Sequence, residues 1–290
     1  MFDYLYAMAL SWPAAAVSLL LALVVGGLLW VTHNALTHFD DREVLFEQGS
    51  VAYLVQRVAL VLAFGIAALP TITRGDGDHP WNTLPLQAAQ LAWVFVALLG
   101  ARYLVDAVLL RERNTEELLA GNTALGVLEA GFYLGFGFVL NGSLTGSAET
   151  FGLSLASTVV FGLLGLAVVV GVFWLHEAVT PWSVRQLVRD RSLTAAFEAG
   201  GLLTAVGIVV REGVAGDFTG WTDGLVAFAA TTLFAVVMLY LFRWVTNRLI
   251  LRSWTLRQIQ EQQRTTASAF SAVLLVVVAI SVAAVVRTQL

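Results

Sequence analysis

The chain has no cysteine and no lysine among its 290 residues. Without cysteine there are no disulfides, no thiolate metal sites and no cysteine nucleophile. Without lysine every fixed positive charge is an arginine, which we read as GC-rich coding rather than function. Charge of either sign is scarce: 12% of residues are charged, against roughly 25% in a soluble domain. A surface so poor in charge faces something other than water. The net charge is −4 and no basic run occurs, which argues against a nucleic-acid partner. Ser-x-x-Lys, His-Glu-x-x-His, phosphate-loop and nucleophile-elbow patterns are all missing, so neither a cofactor nor an enzymatic activity is expected. The N-terminal stretch carries an Asp and no basic region, and reads as a retained helix rather than a cleaved signal.

Apolar sequence is what the chain has in excess: 58% of residues, with a mean hydropathy of +0.80. A membrane span needs about 20 such residues. Eight stretches qualify, near 12–33, 51–71, 86–108, 121–141, 153–175, 194–214, 223–245 and 266–286. The expected fold is therefore all-α, a polytopic membrane protein whose principal partner is the lipid bilayer. The connections are too short for a soluble domain. Only Arg74, Arg211 and Arg287 lie towards one side; the other arginines lie in or beside connections leaving odd-numbered helices. Arginine bias puts those connections in the cytoplasm and both termini outside, in a bacterial or archaeal plasma (inner) membrane. Trp12, Trp81 and Trp221 near the outer ends, and Trp30, Trp174, Trp182 and Trp254 near the inner ends, fit interfacial belts.

Each Arg-rich connection carries a helix-start signature: Asp40-x-x-Glu43, Asn114-x-x-Glu117, Ser183-x-x-Gln186 and Thr255-x-x-Gln258. These read as capping boxes, in which a side-chain oxygen binds orphan N–H groups and an acid or amide reaches back. Their regular spacing marks a fourfold helix-hairpin repeat. Each even helix is expected to start at its cap and run straight inwards, the first from Asp41 to about Leu69. Twelve and sixteen residues past the caps stand Gly126 and Ala130, Ala195 and Ala199, Ala267 and Ser271, the small-xxx-small spacing of closely packed membrane helices.

Finer matches give the order of duplication. His33-Asn-Ala-Leu-Thr-His-Phe-Asp40 matches His176-Glu-Ala-Val-Thr-Pro-Trp-Ser183. Arg102-Tyr-Leu-Val-Asp106 matches Arg243-Trp-Val-Thr-Asn247. The chain thus divides into two four-helix halves, 1–146 and 147–290, expected to be related by a pseudo-twofold axis along the membrane normal.

Thr180-Pro181-Trp182 and Gly121-Asn122-Thr123-Ala124, with a weaker copy at Gly49-Ser50-Val51-Ala52, carry a resemblance to the bacterial inner-membrane family catalogued as domain of unknown function 350. The chain resembles two four-helix members fused. The family has no established activity. Its genes tend to sit near those for membrane-stress proteins, so the resemblance implies, by association only, an envelope role with such a protein as cytoplasmic partner. A homo-oligomer is a second partner expectation.

Ionisable groups inside a span cost roughly 2.5–3.5 kcal/mol each on insertion scales, so each needs a reason. Glu129 and Glu198 fall fifteen residues after their caps, in matching Glu-Ala-Gly sequences. Arg102 and Arg243 fall twelve before theirs, which a hairpin brings to similar depth. Pairs Glu129–Arg102 and Glu198–Arg243 are expected, with Asp106 a further partner for Arg102 at i,i+4. They either fix helix register or line a polar cavity. His33, His176 and the adjacent Glu177 read as inner-interface polar residues, with a pH-sensitive role as the alternative. A metal site at His33, His38, Asp40 and Asp41 is disfavoured because the matching half has Pro181 and Ser183; no metal is expected. Gly75-Asp-Gly-Asp-His79 reads as a turn, and Arg211-Glu212 as a local pair at the interface.

Three functions fit. The first is a membrane scaffold or sensor linked to envelope stress. The second is a small-solute or ion transporter or channel using the Glu/Arg pairs. The third, a membrane-embedded lipid enzyme, is weakened by the missing catalytic constellation.

Overall fold

The computed structural model describes residues 2–37, 39–73, 80–110, 114–246, 248–249 and 255–287. Among these all regular structure is helical. The long helices are α1 (Phe2–Leu36), α2 (Val51–Thr73), α3 (Leu84–Leu104), α5 (Thr123–Ser143), α6 (Phe151–Val179), α8 (Leu193–Val214), α9 (Trp221–Thr246) and α11 (Thr265–Arg287). Short helices α4 (Asn114–Leu119), α7 (Val184–Arg189) and α10 (Leu256–Glu261) precede α5, α8 and α11. Among the described residues eight helices are long and apolar enough to cross a membrane.

The even-numbered spans, α2, α5, α8 and α11, start at the same, Arg-rich end and pack side by side in that order. They run parallel. Thr194 of α8 accepts through its carbonyl from Ser268 of α11 at one end, and Glu212 meets Arg287 at the other. Lipid tails are as apolar as leucine, so close backbone contact must hold such neighbours. A Cβ built on Gly131 would lie 2.2 Å from the Gly200 carbonyl oxygen, and one on Gly126 would lie 2.3 Å from that of Ala52. No side chain fits at either point. The remaining helices form a second layer: α3 packs on α2 and α5, α6 on α5 and α8, and α9 on α8 and α11, while α1 packs on α2 and α3. The row is continuous across residue 146, where α5 meets α8.

The straight entry predicted for the even helices is replaced by a break. After α4, α7 and α10 the chain closes an identical turn. Asn122 N–H donates to Glu117 O and Gly121 N–H to Leu118 O; Ser192 to Leu187 and Arg191 to Val188; Arg264 to Ile259 and Gln263 to Gln260. This is the Schellman motif, whose penultimate residue is left-handed. The φ values are +79° at Gly121, +62° at Arg191 and +47° at Gln263. A second cap then restarts the helix: Asn122 and Ser192 accept from the N–H groups of Leu125 and Ala195. In the first unit a π turn over Glu43–Glu47 and Gly49 at φ +63° take the same place.

Three of the four predicted capping boxes differ from expectation, Ser183 keeping only its own half because Gln186 turns to Asp190. Thr255 forms the full box with Gln258, and Ser183 accepts from the Gln186 N–H. Asp40 instead accepts from Arg42 N–H two residues on. Asn114 lies inside α4 and turns its amide inwards to Glu129.

A buried polar cluster at the Arg-rich end

Within two turns of the start of α2, charged side chains converge. Arg57 is 1% exposed. Its Nη2 donates to Asp41 Oδ1 at 2.7 Å and to the Tyr53 hydroxyl, and its Nη1 donates to His33 Nδ1 on α1. The guanidinium also lies 4.6 Å from the Tyr53 ring centroid, so charge, hydrogen bonds and π face all compensate its burial. Tyr53 in turn donates to Asp41. One cation, one carboxylate, one imidazole and one phenol thus form one network, in which Arg57 Nε and Asp41 Oδ2 have no partner among the described residues.

Beside it lies a second group. Glu129 is buried and accepts from Asn114 Nδ2 at 2.9 Å, not from Arg102. Arg102 donates to Thr115 Oγ1 at 3.2 Å, and no ion pair joins it to Glu129 or to Asp106, which sits in a π turn over Val105–Leu110. The predicted Glu129–Arg102 pair fails because Asn114 turns inwards and occupies the carboxylate. The space enclosed by His33, Gln56, Arg102, Asp106, Asn114 and Glu129 is ≈ 10 Å³, the lower bound for one water. Around the two groups His33 Nε2, Gln56 Oε1, Arg102 Nη1 and Tyr133 OH are buried without a protein partner.

The matching place in the second half is leaner. Glu198 accepts from Arg243 Nη2 at 3.1 Å, and His176 Nε2 stands 3.9 Å from the same oxygen. Glu177 does a different task, accepting from Val184 N–H at 2.9 Å and Ser183 Oγ at 2.7 Å and pairing with Arg185 at 3.2 Å, so it fastens the turn into α7. Asn34 makes the equivalent bond to Asp41 N–H in the first half, at 2.9 Å. Asn247, His38, His79 and Trp254 lie outside the described residues. From the sequence alone Arg57, Tyr53 and Gln56 have no part in a site, Asp41 figures only within a disfavoured metal set, and Asn114 reads as a cap. Arg57 had a signal: it stands inside an apolar stretch, where any charge needs a reason.

Eight apolar helices around locked charges define a multi-pass helical membrane protein. The family model described as Domain of Unknown Function (DUF350) matches residues 7–144, 78–180 and 150–286, and the chain belongs to that family. It is similar to a protein of Aquifex aeolicus (strain VF5) named UPF0719 transmembrane protein, with 24% identity over 141 residues. That match covers 48% of this chain and 52% of the relative, about half the relative's length. No solved structure matches.

Proposed function

We propose that the chain is a non-enzymatic scaffold of the inner membrane, with its Arg-rich connections in the cytoplasm as the docking side for a partner. The observation that carries this is the ≈ 10 Å³ enclosed among the polar side chains. Solute passage needs room and hydration; a cluster closed to about one water supports a fixed structural role. The tight row of even helices supports the same reading, since interfaces built on glycine leave no slack for rocking. Reporter fusions after residues 48, 117, 188 and 260 test the orientation: cytoplasmic signals are expected, and periplasmic signals at two or more sites overturn it. Flux in liposomes tests the scaffold itself. Under this reading Glu129→Gln changes no ion or solute flux.

One observation favours transport instead: His33 Nε2, Gln56 Oε1, Arg102 Nη1 and Tyr133 OH are buried donors and acceptors without a partner among the described residues. A proton flux abolished by Glu129→Gln in a folded protein selects that reading. The sensor form, with a membrane-stress protein as partner, rests on the family resemblance; an unaltered envelope-stress response in a deletion strain removes it.

A further inference from the structure

At the end of the row away from the polar cluster, a cleft of ≈ 370 Å³ opens, lined by residues of α2, α5, α8 and α11 alone. Its two ends differ in chemistry. One end carries Arg211 and Arg287, in the last turns of α8 and α11, held by the carboxylate of Glu212 between them. Arg287 binds both carboxylate oxygens, at 2.8 and 3.2 Å, and Arg211 donates to Glu212 and to Asn141 of α5. The rest of the lining is apolar, with Ile66, Phe138, Ile208 and Ile280 extending back along the helices.

Two guanidiniums share one carboxylate, so the group carries one net positive charge at a helix end, the level of a membrane surface. Among the described residues Arg287 Nη1 and Arg211 Nη2 have no partner, and Arg287 is 63% exposed. Glu212 is 5% exposed and engaged by both arginines, so it is shielded from a ligand's ammonium group. Arginine forks match phosphate oxygens. We propose that this cleft binds a monoanionic phospholipid, its phosphate at Arg211 and Arg287 and one acyl chain along the isoleucine and phenylalanine wall. Charge complementarity selects the occupant: one net positive charge suits a phosphodiester with no amine, and a zwitterionic headgroup would bring a cation to a site with no free anion. The site is independent of which side of the membrane it faces and of the scaffold reading.

The full chain in mild detergent, stripped of lipid, gives the test. Its melting temperature is read by tryptophan fluorescence against added phosphatidylglycerol, phosphatidylcholine or inorganic phosphate. Phosphatidylglycerol is expected to raise it saturably, and the other two to raise it little. Arg287→Ala should weaken the half-saturating concentration about tenfold or more. Ala284→Phe leaves both arginines in place and fills the cleft, so it should abolish the response even if Arg287→Ala does not fold. An equal rise with phosphatidylcholine, a full response to phosphate alone, or a phosphatidylglycerol response unchanged in Ala284→Phe overturns the proposal.

Discussion

Arg57 on α2 donates to Nδ1 of His33 on α1. A guanidinium has no acceptor, so His33 presents a lone pair there and carries its proton on Nε2. The neutral imidazole lets a single carboxylate, Asp41, balance Arg57. Arg57→Leu should therefore strand Asp41 in the interior and lower stability by about 3–5 kcal/mol. The double variant Arg57→Leu/Asp41→Leu should recover part of that loss. Equilibrium unfolding in detergent measures both; strictly additive losses would show that the pair does not act as a unit.

The two membrane glutamates should respond unequally to amidation. Glu198→Gln removes the counter-charge of a buried Arg243 and should cost about 3 kcal/mol. Glu129→Gln keeps an acceptor for Asn114 and should cost about 1 kcal/mol. Melting temperatures of the two variants in one detergent compare them directly, and equal losses would contradict the asymmetry of their partners.

Glycines in the row should divide by neighbour. A Cβ on Gly135 would stand 2.3 Å from the Leu203 carbonyl oxygen, whereas Gly65 on α2 has open space around it. Gly135→Leu should prevent folding or cost more than the about 1–3 kcal/mol of ordinary overpacking. Gly65→Ala should be neutral or gain about 0.5–1 kcal/mol. Yield and thermal unfolding separate the two; a tolerated Gly135→Leu would mean the row is looser than described.

The halves 1–146 and 147–290 should superpose in parallel orientation by the shift along the row that takes α2 to α8 and α5 to α11, His33 falling on His176 and Arg102 on Arg243. An experimental structure checks this. An inverted relation would show that the matched motifs mark local turns rather than a duplication.

The eight spans were legible because hydropathy and length alone define them: 51–71 was expected and Val51–Thr73 is found. The break before each even helix was not. Its left-handed residue is a glycine in the first two units but Arg191 and Gln263 in the others, so no common letter announces it. Equal depth brought Glu198 to Arg243, yet the same logic failed at Glu129, because an asparagine read as a cap serves as a ligand. Arg57 escaped because its equivalents are Gly131, Gly200 and Ala272. Comparing repeats brings out what they share and hides what one alone has acquired.

Parallel neighbours have an electrostatic consequence. In a hairpin, adjacent helices oppose one another and their end charges cancel. In the row of α2, α5, α8 and α11, four N-termini lie together, each equivalent to about half a positive charge, and four C-termini lie together at the other end. Side chains at both ends are paired locally instead: Arg57 with Asp41 and Arg243 with Glu198 at the N-terminal end, and Arg211 and Arg287 with Glu212 at the other. The inner layer is thus a polarised sheet of helices along the membrane normal, with its ionised side chains paired locally at either end.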